Sequence, residues 1–270
     1  MTSLQSRVLV SVIGAPILLY VVLWAPRWVM AVSLAALAGV AAYELMACVG
    51  TMRTSRGLCR LTVSFAVWAV LCAAYREDWL LPALTLYVLL ACAVAVGRAG
   101  AVTFAQLMAG VFSVTVIPYA FSAFLRIHTV GHRGFLLLPL LFSFASDTSA
   151  YFAGRAFGRH KLAPHVSPNK TVEGAVGGLL GDALAGAVFA LVMNMWVGQP
   201  VRYLPAVGLG LLCSMVAQLG DLTFSLIKRE FGIKDYGKIF LAHGGVLDRF
   251  DSVIFVAPTL AALVGLLRGG

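Results

Sequence analysis

The chain has 270 residues, of which 61% are apolar and 11% are charged, and its formal net charge is +9. A soluble domain of this length carries roughly 25% charged residues, so the composition excludes a single water-soluble domain and requires lipid to cover much of the surface. The basic residues are not gathered into one arm or stripe, which favours an anionic headgroup or substrate over a nucleic acid as the partner.

Apolar segments long enough to cross a bilayer, for which about 20 residues are needed, recur along the whole chain. They predict an all-α, polytopic integral membrane protein with about nine transmembrane helices. The nine candidate segments are 8–25, 28–48, 61–75, 79–97, 102–125, 134–156, 172–196, 203–228 and 247–267. The first lacks a small-residue cleavage site and is interpreted as a retained helix. The third is short, since Arg60 bounds it on one side and Arg76 on the other.

The distribution of arginine and lysine over the loops predicts the orientation, because cytoplasmic loops carry an excess of both residues. With nine helices and a cytoplasmic N-terminus, 14 of the 20 basic residues fall on the cytoplasmic side. The six on the far side are Arg27, Arg76, Arg126, Arg133, Arg202 and Arg268. We therefore expect the N-terminus in the cytoplasm and the C-terminus outside.

The two halves of the chain differ in character. Residues 1–133 form nearly featureless apolar segments, with Glu44 the only acid clearly inside a span. From residue 134 onward, polar residues enter the helices, and two basic loops appear at 157–171 and 229–246. We predict a scaffold region over 1–133 and a catalytic membrane region over 134–270, with both loops on the cytoplasmic side.

Carboxylates inside spans are costly and usually face a functional partner. Asp221, Ser225 and Lys228 share one helix face, and Asp248 and Asp251 share another. Clustered oxygen ligands suit Mg²⁺, which binds one or two carboxylates together with substrate phosphates. The candidate metal ligands are Asp221, Asp248, Asp147 and Asp251. Asp182 has two equally good interpretations, a hydrogen bond between helices and a functional role.

The loop at 229–246 combines cations with a pair of glycines. Its basic residues, with those beside it, are Lys228, Arg229, Lys234, Lys238 and Arg249. Gly244 and Gly245, which follow His243, allow positive φ and close approach of a ligand, and the next helix begins just after them. We expect an anion site formed by backbone amides here. Lys234 and Lys238 could equally contact anionic lipid, although Asp235 beside them weakens that attraction.

The loop at 157–171 also ends at a predicted helix N-terminus, where anions bind well. Its candidate residues for substrate binding are Ser167, Asn169, Lys170, Thr171 and Glu173. Thr171 or Asn169 could simply be the N-cap of the helix. Gly177 and Gly181, four residues apart, are expected to let two helices pack closely.

These residues together resemble the signature of the phosphatidate cytidylyltransferases, also called CDP-diacylglycerol synthases. The matching positions are Ser225, Lys228, Arg229, Lys234, Asp235, Gly237, His243, Gly244, Gly245, Asp248, Arg249 and Asp251. The resemblance extends upstream through Asp147 and Tyr151 to the Ser-Pro…Lys-Thr-x-Glu-Gly loop, and it covers the second half, while the first half matches only in hydropathy. Asn169 stands where many members have lysine.

The resemblance implies a reaction in which CTP and phosphatidate give CDP-diacylglycerol and pyrophosphate, with Mg²⁺ required. It implies an all-helical protein of the cell (inner) membrane with the site open to the cytoplasm. Catalytic roles are expected for Asp221, Asp248, Asp251, Lys228 and Arg249. Substrate-binding roles are expected for Ser167, Asn169, Lys170, Thr171, Glu173, Ser225, Arg229, Lys234, Asp235, His243, Gly244 and Gly245. A second, monovalent cation and a homodimer are left open.

Two other functions compete with this interpretation. A CTP-dependent lipid-alcohol kinase would transfer the γ-phosphoryl group and release CDP instead of pyrophosphate. An ion-coupled transporter would use intramembrane acids, but its broken helices normally occur in two corresponding halves, whereas the polar residues here lie in one half.

Overall fold

The structure is a computed structural model that describes Gly14 and residues 16–130, 132–237 and 244–267. The chain divides into two compact units. The first unit comprises Met1–Leu125 and Glu230–Phe250, and the second comprises Arg126–Arg229 and Asp251–Gly270.

Helices make up most of both units. Residues 16–23 form the helical segment α1. The following helices are α2 (Arg27–Cys48), α3 (Thr51–Thr54), α4 (Arg56–Tyr75), α5 (Leu80–Gly97), α6 (Phe104–Val130), α7 (Leu138–Phe157), α8 (Val172–Val192), α9 (Tyr203–Glu230) and α10 (Leu247–Leu263). Short 3₁₀ turns at Glu77–Trp79, Arg133–Leu137 and Val264–Leu267 and a π-helical turn at Met193–Val197 extend several of them.

Within the described residues, eight helices are long and apolar enough to cross a membrane, and they coincide with the last eight predicted segments. The all-α, multi-pass architecture is therefore confirmed. The first predicted segment, 8–25, lies partly outside the described residues, so the count of nine and the orientation stay predictions.

The third predicted segment is longer than expected. We predicted 61–75, but α4 begins at Arg56 and has 20 residues, with Ser55 as its N-cap accepting a hydrogen bond from the Leu58 amide at 3.2 Å. Arg56 and Arg60 are exposed in the first turns of this helix. Long basic side chains near a helix end can extend to the membrane surface, so they do not end the span.

The first unit has an apolar core shared by α2, α4, α5 and α6. Its buried members are Met46, Leu58, Cys59, Tyr87, Ala91 and Val114. The buried Thr62 hydroxyl donates to the Leu58 carbonyl at 2.8 Å and accepts from the Tyr87 hydroxyl at 2.9 Å, so both polar groups are satisfied inside this core. The predicted scaffold region thus contains an ordinary close-packed helical core.

The second unit is held together by helices that approach closely at glycines. A Cβ atom on Gly177 would collide with Ala153 of α7, and one on Gly181 would collide with Ser149. In the same way, Gly210 of α9 faces the backbone carbonyl of Asp182 on α8. The packing role predicted for Gly177 and Gly181 is therefore confirmed, since no larger residue fits between α7 and α8 without displacing a neighbour.

The loop at 157–171 contains a small sheet that the sequence did not predict. Strand β1 (Lys161–Ala163) pairs antiparallel with β2 (Ser167–Thr171), with Lys161 opposite Thr171 and Ala163 opposite Ser167. Pro168 is tolerated in β2 because a two-stranded sheet consists of edge strands only. The hairpin holds the predicted substrate-binding residues at the start of α8.

Candidate active site

The hairpin reaches the polar face of α9 within the second unit. Lys170 of β2 forms an ion pair with Asp221 of α9, and their side chains are 27% and 22% exposed. The Ser225 hydroxyl donates to Oδ1 of Asp221 at 3.3 Å, as their spacing of four residues predicted. Because both charges are largely shielded from solvent, this ion pair is stronger than one on an open surface. This contact brings the loop at 157–171 to the carboxylate of α9.

Three carboxylates of this unit lie close enough for their charges to interact: Asp147 on α7, Asp221 on α9 and Asp251 on α10. Lys170 interacts with Asp147, and Lys228 interacts with Asp251. Oδ1 of Asp251 also accepts a hydrogen bond from the Ser252 amide at 2.8 Å. Three helices therefore contribute acids to one region, with lysines among them.

These acids do not by themselves enclose a cation. Among the residues that the structure describes, no group of three or more His, Cys, Asp or Glu side chains could hold a metal ion. Mg²⁺ does not require such a group, because one or two protein carboxylates suffice when substrate phosphates and water supply the other oxygens. The donor chemistry of Asp221 and Asp251 fits that mode of binding.

Other contacts fix the hairpin in place. Thr171 caps α8 by accepting a hydrogen bond from the Gly174 amide at 3.1 Å, which confirms one of the two predicted N-caps. The Glu173 carboxylate accepts from the Arg159 amide at 3.0 Å and contacts the His160 ring at 2.6 Å. Arg229 Nε donates to the Val166 carbonyl at 3.3 Å. Thr171, Glu173 and Arg229 therefore position the hairpin, whereas Ser167 and Asn169 lie along β2.

The diglycine turn belongs to the first unit and is organised by Asp248. Oδ2 of Asp248 accepts hydrogen bonds from the Tyr236 amide at 2.8 Å and the Gly245 amide at 3.0 Å. Gly244 has φ of 82°, and a Cβ atom there would lie 2.8 Å from the same oxygen. The expectation of positive φ at this turn is confirmed.

The amides of this turn donate to the carboxylate of Glu44, whereas we expected them to bind the anion of a ligand. Oε1 of Glu44 accepts from the Val246 amide at 3.0 Å, and Oε2 accepts from the Leu247 amide at 2.9 Å. We predicted that such amides bind a ligand, but three consecutive ones, from Gly245 to Leu247, donate to carboxylates of the protein itself. The close approach that glycine permits here is that of Glu44 and Asp248.

Glu44 is the residue of this region that sequence reasoning missed. It lies on α2, its side chain is 2% exposed, and it was assigned to the scaffold. One signal could have found it: a single acid in an otherwise apolar span needs a partner. The sequence does not show which partner, because the two amides lie about 200 residues further along the chain.

The remaining predicted residues have different outcomes. Lys234, Asp235 and Arg249 are exposed. His243 and Lys238 lie outside the described residues. Asp221 and Asp248, expected to bind one metal together, belong to different units, and their joint role stays a prediction.

Asp182 is completely buried in α8. Among the described residues, neither carboxylate oxygen makes a hydrogen bond of ordinary geometry, although the backbone N–H of Ser146 on α7 lies close enough to stabilise the carboxylate. Its charge interacts with that of Asp147 in the same unit. Asp182 therefore belongs to the polar interior of the second unit without the contacts of a structural cap.

Taken together, the second unit presents carboxylates on three helices, with Lys170 and Lys228 beside them. This combination can bind a polyphosphate through a divalent cation and through direct cation contacts. In transfers between two phosphate-bearing molecules, positioning and charge neutralisation account for most of the catalysis. Such a transfer needs no nucleophile from the protein.

Comparison with known proteins gives one family. A family model described as "Cytidylyltransferase family" matches residues 5–267, which extends the resemblance into the first half of the chain. The chain is 41% identical over 159 residues to a phosphatidate cytidylyltransferase of Staphylococcus saprophyticus, covering 58% of this chain and 60% of that protein.

Two further relatives carry the same name. The chain is 43% identical over 152 residues to the protein of Staphylococcus epidermidis, covering 56% of each chain. It is 38% identical over 152 residues to that of Bacillus subtilis, covering 56% of this chain and 55% of the relative. The chain thus spans between 55% and 60% of the length of these curated relatives.

Proposed function

The chain belongs to the cytidylyltransferase family, and from that premise we propose that it transfers the cytidylyl group of CTP to phosphatidate. The products are CDP-diacylglycerol and pyrophosphate, and the reaction serves phospholipid synthesis. The observation that carries the proposal is the contact of the hairpin lysine, Lys170, with Asp221 beside the acids of α7 and α10.

The chemistry of the reaction matches these residues. A phosphate oxygen of phosphatidate attacks the α-phosphorus of CTP, and the bond from that phosphorus to the bridging oxygen of the β-phosphate breaks. The electron pair leaves with pyrophosphate. Lys170 and Lys228 bind phosphate oxygens and offset the charge that collects on them. Arg229 holds the hairpin against α9 and keeps Lys170 in place.

Mg²⁺ is part of the proposal. Asp221 and Asp251 would hold the ion, with Asp147 orienting them from α7 and Asp248 contributing from the start of α10. When bound, Mg²⁺ supplies neutralisation of triphosphate charge. The residues of the chain then align the lipid phosphate with the α-phosphorus of CTP. This alignment contributes more to the rate than covalent catalysis by the protein would.

The location of the site follows from the predicted topology. The basic hairpin and the diglycine loop fall on the cytoplasmic side when the positive-inside rule is applied to nine helices. CTP is a cytoplasmic solute and phosphatidate a membrane lipid, so a site at the cytoplasmic face of the cell membrane has access to both. This orientation is a proposal that labelling of loop cysteines from either side can test.

A product assay tests the function directly. Full-length protein in detergent is incubated with phosphatidate and with CTP labelled at either the α- or the γ-phosphorus, with Mg²⁺ or with EDTA. We expect α-label in the lipid and γ-label in pyrophosphate, with no product in EDTA. Transfer of γ-label to lipid with release of CDP would identify a kinase and overturn the proposal.

A further inference from the structure

The contact between Glu44 and the start of α10 joins two parts of the first unit that are distant in sequence. Both oxygens of the buried carboxylate are used, one for the Val246 amide and the other for the Leu247 amide, at 3.0 and 2.9 Å. The first amides of a helix have no partner within the helix, and a negative charge there is favoured by the helix dipole. Glu44 thus acts as a cap supplied by another helix.

The surrounding residues leave room for this carboxylate and no more. A Cβ atom at Gly237 or at Gly245 would collide with the Glu44 side chain. Asp248 accepts hydrogen bonds from the Gly245 amide of the same turn and from the Tyr236 amide, twelve residues earlier in the chain. Two carboxylates therefore divide the amides of one turn between them, and the position of one constrains the other.

A purely stabilising cap would not need this arrangement. A side chain at the N-cap position is sufficient to cap a helix, as Thr171 does for α8. A buried acid in an apolar span is expensive, and such residues usually serve function. The amides that Glu44 holds lie one and two residues before Asp248, which the proposed function places in the site.

We propose that Glu44 is a positioning residue for the cytidylyl transfer. It fixes the diglycine turn and the first turn of α10, and through them it sets the orientation of Asp248 and Arg249 toward the substrates. The inference rests on the proposed function, and it adds to the reaction a residue from the half of the chain that the sequence assigned to scaffold.

The variant that tests it is Glu44→Gln in the full chain. Glutamine has nearly the same shape, but its NH₂ group faces one of the two backbone N–H donors, so one hydrogen bond is replaced by a repulsive contact. We expect turnover to fall about 100-fold, as small misplacements of reacting groups do. Amide hydrogen exchange at Val246 and Leu247 should become about tenfold faster or more. Glu44→Asp, which keeps the charge, should recover part of both.

The control is Thr62→Val, which removes another buried hydrogen bond of the same unit, that to Tyr87. It should lower thermal stability without changing exchange at 244–250 or the turnover. Wild-type hydrogen exchange at Val246 and Leu247 in Glu44→Gln would overturn the proposal. Faster exchange at these two amides together with wild-type turnover would also overturn it. Failure of the proposed function is distinguishable, because wild-type protein would then release no pyrophosphate while the exchange result still reports on the turn.

A double-mutant cycle gives a second, independent check. Gly245→Ala places a methyl group against the Glu44 carboxylate and should accelerate exchange in the turn. In a Glu44→Ala background the same methyl group has space, so Gly245→Ala should add little. Additive effects in the cycle would mean that the two residues do not act on each other, which contradicts the proposed arrangement.

Discussion

The two helices that follow basic loops, α8 and α10, obtain their N-terminal caps in different ways. The Thr171 side chain satisfies the Gly174 amide three residues further along, whereas Glu44 satisfies Val246 and Leu247 from about 200 residues away. The loops look alike in sequence, since each combines cations, glycines and a following apolar run. The difference teaches that a basic loop before a helix does not by itself identify a phosphate site, because the protein can supply the anion.

The largest effect on turnover is expected at Asp221 of α9, which pairs with Lys170 of the loop before α8. Asp221→Asn removes the carboxylate that pairs with Lys170 and that is proposed to hold Mg²⁺. Turnover should fall by about 100- to 1000-fold, in the range known for removal of an electrostatic contact to a transition state. The measurement is CTP-dependent formation of CDP-diacylglycerol by purified protein. Asp78→Asn, at an exposed acid, is the matched control and should leave turnover unchanged.

The α10 loop can be disturbed through its backbone. Gly244→Ala introduces a side chain at φ of 82° and a Cβ atom 2.8 Å from Asp248. Strain of this kind costs about 1–3 kcal/mol. Thermal unfolding in detergent should show the loss. Gly232 has a similar φ of 65° but open space around it, so Gly232→Ala should lower the stability less. Equal losses of stability at both positions would show that the contact with Asp248 does not contribute.

The α8 loop should respond as a local cap does. Thr171→Ala leaves the Gly174 amide without its acceptor and should lower the free energy of unfolding by about 1 kcal/mol. Thr171→Ser keeps the hydroxyl group and should restore most of it. Circular dichroism followed against temperature is sufficient for both variants. A larger loss in the serine variant than in alanine would contradict the capping role.

The smallest effect on stability is expected at Asp182, which we compare with Glu44, a second buried acid. Asp182 is as buried as Glu44, yet among the described residues its oxygens make no hydrogen bond of ordinary geometry. Asp182→Asn replaces a buried carboxyl group, whose charged form is costly inside the helices, by a neutral amide of nearly the same shape, and it should raise the free energy of unfolding by up to about 1 kcal/mol. Turnover should not change. A clear loss of turnover in folded protein would instead assign Asp182 to the reaction.

Much of this structure follows from local properties of the sequence. Hydropathy located the eight described spans, and residue spacing correctly placed Ser225 beside Asp221 and Gly177 against a neighbouring helix. The start of α4 was missed because Arg60 was treated as a boundary, although an arginine near a helix end remains compatible with a span.

The features that the sequence did not reveal depend on partners far along the chain. The hairpin of Lys161–Thr171 is short and polar, and its strands lack the alternating apolar residues that normally indicate a sheet. Glu44 was visible as an isolated acid, but its role depends on amides whose positions no local pattern encodes. The joint role of Asp221 and Asp248 stays a prediction for the same reason.

The contact of Glu44 also has a consequence for biosynthesis. Helix α2 is translated about 200 residues before Val246 and Leu247, which donate to Glu44. Because the chain folds progressively during synthesis, Glu44 lacks these two donors until residues 246 and 247 have been added. The turn before α10 therefore forms only after both parts of the chain are present, and a chain interrupted before residue 246 lacks both amide donors for the Glu44 carboxylate.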